Sequence, residues 1–322
     1  MFCVRSQKLL ASLALAALAA LAAVVACGGG EGVKGTSAPT GPVASQGTRA
    51  VVTIHAMEQA FDANDVKAYG ALFTDDVALN VSGRADVRGR PAAEAGFQRL
   101  HTLFGKVRMR AQRIFLKGDV AIVEVTMTGT HEGALDGLAP THKPVGWRGA
   151  EVDRFAPDGR IEERRVYFDG ATPVAQAKGS GRPIPEDEAL VVFDGAKTGE
   201  ADATILDRMD RAWEQHEDAK WAALLTDDVA WDDLAAPKAV RGRASLKGQW
   251  SSAAVPDATT SAITTWPVGS YVIDEASLSG LKKGQLVALY ELRIAEVNAG
   301  KISRGWTYAN ALDLQAQLGA SK

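Results

Sequence analysis

Carboxylates are the side chains of this sequence best placed to do chemistry. Asp169 follows the aromatic pair Tyr167-Phe168, and a period of two puts Arg165, Tyr167 and Asp169 on one face of a strand. A lone Asp in an apolar cleft can take up a proton and return it, because burial raises its pKa toward neutrality. Arg165 beside it works the other way. The plainer reading of Asp169 is that it ends its strand and caps the turn into Gly170-Ala171-Thr172-Pro173. Asp153, on the preceding β-prone stretch, is a second candidate, with a surface or hairpin position as its alternative. Asp233 closes the run Asp227-Asp228-Val229-Ala230-Trp231-Asp232-Asp233 and is the third; contact with a ligand or plain solvation are its other readings.

The pairs Asp75-Asp76 and Asp227-Asp228 read as residues that end a helix and hydrogen-bond a turn, not as a catalytic dyad. Arg88-Gly89-Arg90 and Arg241-Gly242-Arg243 read as turns in which Gly supplies an unusual backbone angle. The five histidines, His55, His101, His131, His142 and His216, have no metal-ligand spacing. His131 and His142 flank a loop from which either could touch a ligand. No Gly-rich phosphate loop, nucleophile elbow or zinc pattern occurs.

The elements that must hold these residues occur twice. At a constant offset of 152, Ile54, Met57, Phe61, Tyr69, Leu72 and Phe73 fall on Leu206, Met209, Trp213, Trp221, Leu224 and Leu225, and Thr74-Asp75-Asp76-Val77-Ala78 falls on Thr226-Asp227-Asp228-Val229-Ala230. One more residue superimposes the two Val-Arg-Gly-Arg runs, and an offset of 141 sets Ile161, Tyr167 and Gln176 on Ile302, Tyr308 and Gln317. Matches in one order at both ends mark a duplication. Spacings of three and four at 54, 57, 61 and at 206, 209, 213 predict helices. Asn64 or Asp65, and Glu217 in the second copy, stand where a second helix is capped. A third helix follows Arg-Gly-Arg, with Pro91 suited to its first turn. Strands are predicted at about 107–116, 119–130, 146–155 and 160–169, divided by Gly118, Gly137 and Asp158-Gly159. The second copy offers about 259–266, 269–275, 285–297 and 301–310. The order ααβαββββ predicts an α+β fold of two tandem cone-shaped domains, each a curved antiparallel sheet wrapped around three helices, with a mouth of the kind that holds ligands.

Before the repeat, Arg5 and Lys8 precede a Leu/Ala run from Leu9 to Val25 and a small-residue cleavage site, so residues 1–26 read as a signal peptide. Val24-Val25-Ala26-Cys27 resembles the bacterial lipobox, which implies acylation of Cys27 and anchoring by several acyl chains. Residues 27–49 then read as a flexible tether, 50–177 as the first domain, 178–188 as a linker and 189–322 as a divergent second domain. With Cys3 in the leader, the exported chain has one cysteine and no internal disulfide. Without Arg5 and Lys8 there remain 34 basic against 39 acidic side chains, spread without runs of one sign, which excludes a nucleic-acid surface. The expectation is an exported, membrane-anchored lipoprotein of the bacterial cell envelope.

Gly129-Thr130-His131-Glu132-Gly133, Gly137-Leu138-Ala139-Pro140-Thr141-His142-Lys143-Pro144-Val145, Arg148-Gly149 and the stretch from Asp158 through Tyr167-Phe168-Asp169 make residues 52–177 resemble the SnoaL-like polyketide cyclases, of the nuclear-transport-factor-like cone-fold superfamily. The second copy resembles them through Thr226 to Ala230 and Trp306-Thr307-Tyr308-Ala309-Asn310. The resemblance implies a small apolar or aromatic ligand and no metal or organic cofactor. It also implies, for an active member, ring closure by an aldol step on one carboxylate. That carboxylate would be Asp169, with Asp153 at or near a place where such cyclases carry His, and Asp233 where ketosteroid isomerases of the same superfamily hold their base. Tyr167, Arg165, His131, Trp306, Tyr308, Asn310 and Asp233 are the expected cavity residues. Asn310 replaces Asp169 in the second copy and cannot exchange a proton, so chemistry is confined to the first domain if it occurs. Three readings stay open: a binding protein, a cyclase or isomerase, and an assembly protein whose sheets pack as an internal pseudo-dimer or a homo-dimer.

Overall fold

The computed structural model describes residues 45–82, 86–195, 200–251, 253, 255, 257–282 and 284–319. The signal segment, Cys27 and most of the expected tether lie outside the described residues. The first copy comprises α1 (Gln46–Ala63), α2 (Val66–Ala71), β1 (Phe73–Val81), β2 (Val87–Arg88), α3 (Arg90–Leu103), β3 (Phe104–Lys117), β4 (Val120–His131), β5 (Pro144–Phe155), β6 (Ile161–Phe168) and α4 (Ala171–Ala177). After β7 (Val191–Asp194) the pattern repeats as α5 (Ile205–Glu214), α6 (Asp218–Ala223), β8 (Leu225–Asp233), β9 (Val240–Arg241), α7 (Arg243–Ser251), β10 (Thr259–Val268), β11 (Tyr271–Lys282), β12 (Gln285–Asn298), β13 (Lys301–Ala309) and α8 (Ala311–Gly319).

Local chemistry accounts for the boundaries. Ser45 caps α1 by accepting from the Thr48 N–H at 3.2 Å, so this helix begins inside the stretch expected to be tether. Asn64 takes the left-handed conformation that ends it. Asp65 accepts from the Lys67 and Ala68 N–H groups and starts α2. Glu217, at the matching place, makes no capping bond and pairs with Lys220 instead. Asp75-Asp76 and Asp227-Asp228, expected to end a helix and bond a turn, lie instead inside β1 and β8. Asp75 pairs with Arg90 at 2.5 Å, and Asp227 with Arg243, tying each strand to the helix after its Arg-Gly-Arg turn. Gly89 and Gly242, both at positive φ, make that turn and donate to the Val77 and Val229 carbonyls at 2.8 Å.

The first sheet runs β2-β1-β6-β5-β4-β3-β7 and the second β10-β11-β12-β13-β8-β9. Most neighbours are antiparallel, but β1 joins β6, and β8 joins β13, in parallel. A short fourth helix closes each copy, and β7, from the stretch assigned to the second domain, extends the first sheet beside β3. Matching bulges fall at Gln112 in β3 and Ile263 in β10. The concave face of the first sheet packs Val107, Met109, Ile114, Val123, Val125 and Trp147 against Ile54, Met57, Phe61 and Phe97 of the helices. The second does the same with Val272, Ala295 and Trp231 against Leu206, Met209 and Leu246. The opposite, convex faces meet each other through Phe115, Ile122, Val152, Tyr167, Trp266, Ile273, Ile294 and Tyr308.

Candidate functional site

Each concave face carries a buried ionic cluster. In the first copy the Asp158-Gly159 hairpin sets Asp153 on β5 directly opposite Arg164 on β6. The guanidinium donates twice to Asp153, at 2.7 and 2.6 Å, lies 3.1 Å from Glu151, and donates to Met57 Sδ at 3.0 Å. Phe73 packs over its cation at 5.3 Å. Burial pushes Glu151 up to about 7, against the pull of Arg164, and Tyr69 beside them up to about 12. The second copy has Ala295 opposite Gly305 at the matching pair, and the Trp231 ring lies where a Cβ on Gly305 would stand. Its arginine has moved to Arg293, the position of Glu151. Arg293 donates to Asp210 at 2.7 and 2.8 Å and to Asp274 at 3.0 and 2.6 Å, with Glu291 at 3.5 Å. Burial raises Asp274 and pushes Glu291 to about 7. Half-buried Asp233, near Glu291 on this face, is raised to about 6 by burial and accepts from the Ala235 N–H at 3.0 Å.

These clusters and the aromatic side chains around them fill the cones. Tyr69 packs against Phe61, Phe73 and Phe97 with ring centroids 4.7 to 5.5 Å apart. Trp231 is 1% exposed and donates to Thr307 at 3.0 Å. The sequence predicts a hollow in each half, and Trp231 and the two arginines with their carboxylates stand buried within that region.

Tyr167, Arg165, Trp306 and Tyr308 sit on the convex side, at the seam between the sheets. Tyr167 donates to Glu275 at 2.7 Å, and its counterpart Tyr308 donates to Glu124. Arg165 meets Glu275, while Arg113 pairs with Glu124 and stacks over the Trp306 ring at 3.8 Å. Asp169 accepts from the Ala171 and Thr172 N–H groups and the Thr172 hydroxyl at the start of α4, and from the Ala311 N–H of the other copy at 3.1 Å. Asn310 returns the contact by accepting from the Gly170 N–H at 3.3 Å. Both Asp169 oxygens are thus engaged, at the start of α4 and on the other copy. Asp153 stands in the first cone, but as the partner of Arg164. His131 is fully buried at the end of β4, held through Nδ1 by Thr141 at 3.0 Å, where it anchors the loop to β5.

One cavity at the seam is large enough for a small ligand. It measures about 630 Å³ and is lined by Leu79, Asn80 and Asp86 from the first copy, by Arg165 and Tyr167, and by Ile263, Thr264, Trp266, Glu275 and Tyr290 from the second. Tyr167 and Arg165 line this groove on the convex side. Sequence reasoning missed Glu151, Arg164 and the whole Arg293 cluster. The available signal was Glu151-Val152-Asp153, two acids at period two in an apolar strand, with Arg164 across the following hairpin.

Comparison with known proteins gives this architecture its family. Residues 51–177 match the SnoaL-like polyketide cyclase family, and residues 206–305 match the SnoaL-like domain family. Among solved structures, IdmH of Streptomyces antibioticus, assigned as a polyketide cyclase, is 25% identical with a TM-score of 0.37, covering 40% of this chain and 98% of IdmH. A protein of Xanthomonas campestris pv. campestris, likewise assigned as a polyketide cyclase, is 22% identical, with a TM-score of 0.36 and coverage of 41% and 99%. A protein of Catenulispora acidiphila with a ketosteroid isomerase-like fold, solved with trimethylamine, is 20% identical, with a TM-score of 0.35 and coverage of 39% and 92%. A search of curated proteins found no match. The duplicated sequence, the two curved sheets over helices and the two family matches agree: the chain carries two SnoaL-like domains in tandem.

Proposed function

We propose that this chain is a ligand-binding protein of the bacterial cell envelope, anchored by lipid on Cys27, which takes a small amphipathic molecule at the seam between its two domains. The observation that carries the reading is the 630 Å³ groove at the seam, beside cone faces whose side chains are buried. Trp266, Tyr290, Ile263 and Leu79 give the groove an apolar wall for an aromatic body. Arg165 is committed to Glu163 and Glu275, and Arg154 to Asp119 and Glu163. Asp86, hydrogen-bonded by Asn80, is the groove carboxylate that no cation meets among the described residues, so a basic group on the ligand is favoured at that end.

Thr264 stands where Arg113 reaches over Trp306 to Glu124 on the other side, so the groove wall is smaller at this point. Fluorescence of N-phenyl-1-naphthylamine tests binding there. The dye brightens with wild type, and Thr264→Arg removes the gain by filling the groove with a second guanidinium beside that of Arg165. An equal gain in both excludes the groove. Asp169→Asn leaves dye binding unchanged, which separates binding from the cyclase or isomerase alternative; turnover of a carbonyl substrate that the substitution abolishes would restore that alternative. Anchoring is tested by labelling with a radioactive fatty acid, which Cys27→Ser abolishes; undiminished label excludes the lipid.

A further inference from the structure

The contacts at the seam are reciprocal, so a groove on one side has a counterpart on the other. That counterpart is occupied by the chain itself. Arg182 of the linker pairs with Asp232 and donates to the Asp233 and Ala236 carbonyls at 3.0 and 3.3 Å. Ile184 lies against Gly146, so closely that a Cβ there would come within 2.8 Å of it. Glu188 gives its backbone N–H to Gln112 and accepts from Arg148 at 2.8 Å.

Strand register identifies the residues in the open groove that match Asp232, Gln112 and Arg148. Asp232 faces Trp306 across β8 and β13 as Asn80 faces Arg165 across β1 and β6. Gln112 and Ile263 are the matching bulge residues. Arg148 faces Thr126 as Tyr290 faces Ser277. Asn80, Ile263 and Tyr290 all line the 630 Å³ groove. One groove thus holds a Pro-punctuated segment of seven residues, Arg182 to Glu188, and the other presents the same three stations without an occupant from this chain among the described residues.

We propose that the open groove docks an extended peptide segment with a basic residue at one end and an apolar residue at the other. This rests on the groove being the ligand site. The basic end follows from Asn80 and Asp86, which stand at the station where Asp232 holds Arg182. The apolar end follows from Ile263 and Tyr290, 56% and 51% exposed, which replace the polar pair that holds Glu188. Seven extended residues reach roughly 20 Å, at about 3.3 Å each. Pro at the second and fourth positions restricts the free peptide and lowers the ordering loss on docking.

The probe is the acetylated, amidated heptapeptide Arg-Pro-Ala-Pro-Glu-Asp-Leu, the linker segment with its last Glu replaced by Leu and its Ile by Ala, because Ala288, at the place of Gly146, carries the Cβ that the Ile side chain would meet. It is titrated calorimetrically into the chain from residue 28 onward, which holds every described residue. Binding to wild type is expected, about tenfold weaker to Ile263→Asp or Tyr290→Ala, and about tenfold weaker for a peptide with Glu in place of Arg; tenfold is the loss of one good contact. Both substituted side chains are half in solvent, and unchanged thermal melts verify that the variants fold. The peptide should also displace N-phenyl-1-naphthylamine. If the dye binds and the peptide does not, the groove remains a ligand site and the peptide inference falls. Equal affinity for wild type and both variants also overturns it, and failure of dye and peptide together removes both readings.

Discussion

Buried charge decides what individual residues contribute here. Each cone holds more carboxylates than guanidinium groups: Glu151 and Asp153 on Arg164, and Asp210, Asp274 and Glu291 on Arg293. The surplus is relieved by protons, since burial raises Glu151 and Glu291 from an ordinary 4.5 to about 7. A carboxyl with a raised folded pKa binds more protons folded than unfolded between those values, so stability is greatest below about pH 4.5 for that group and falls as the pH rises toward 7. Urea denaturation at pH 5 and pH 8 should show this loss, and Glu291→Gln should shrink it; an unchanged difference would refute the assignment. Arg293→Met should cost about 3–5 kcal/mol, because it strands three buried carboxylates. A loss under 1 kcal/mol in the same assay would mean the cluster is hydrated. Asp153 was legible as a special residue, but Arg164 as its partner was not, because strand pairing across a hairpin depends on loop length to the residue. Arg293 was beyond reach, since its partner Asp210 is 83 positions away.

At the scale of elements, the two terminal helices show how one motif serves two degrees of burial. Gln176 in α4 gives and takes hydrogen bonds with Gly146 on β5, at 2.8 and 2.7 Å, and Gln317 in α8 repeats this with Ala288 on β12, at 2.7 and 3.0 Å. Each side chain continues the ladder where the neighbouring strand has ended. Helix α4 also buries Pro173, Val174 and Ala177, whereas α8 buries no residue fully. Gln176→Ala should therefore lower global stability by about 1–3 kcal/mol, the effect of unsatisfied buried amide groups. Gln317→Ala should instead speed hydrogen exchange in α8 with little change in melting temperature. The reverse pattern would contradict this division. The first three helices of each copy and most of the length of its four long strands were readable, because periodicity and glycines are local signals, whereas the terminal helices α4 and α8 were not. The parallel joining of β1 to β6 and of β8 to β13 was not, because it depends on the closure of the whole cone.

For the whole molecule, duplication has turned a surface into a seam. The Tyr167 to Glu275 bond and its counterpart Tyr308 to Glu124 join the convex faces, while Asp169 and Asn310 clasp the two C-terminal helix starts. The repeat itself was legible from matched residues at both ends. The role of Tyr167 and Asp169 at a contact between copies was not, because a strand pattern shows that residues share a face without showing which layer covers it. In the proposed function the ligand sits at that seam and the cones support it. Indole nitrogen NMR separates these directly, since Trp266 lines the groove while Trp147 and Trp231 face the cone interiors. On titration with N-phenyl-1-naphthylamine the Trp266 resonance should move while those of Trp147 and Trp231 stay in place; movement of either cone tryptophan with Trp266 unmoved would contradict it.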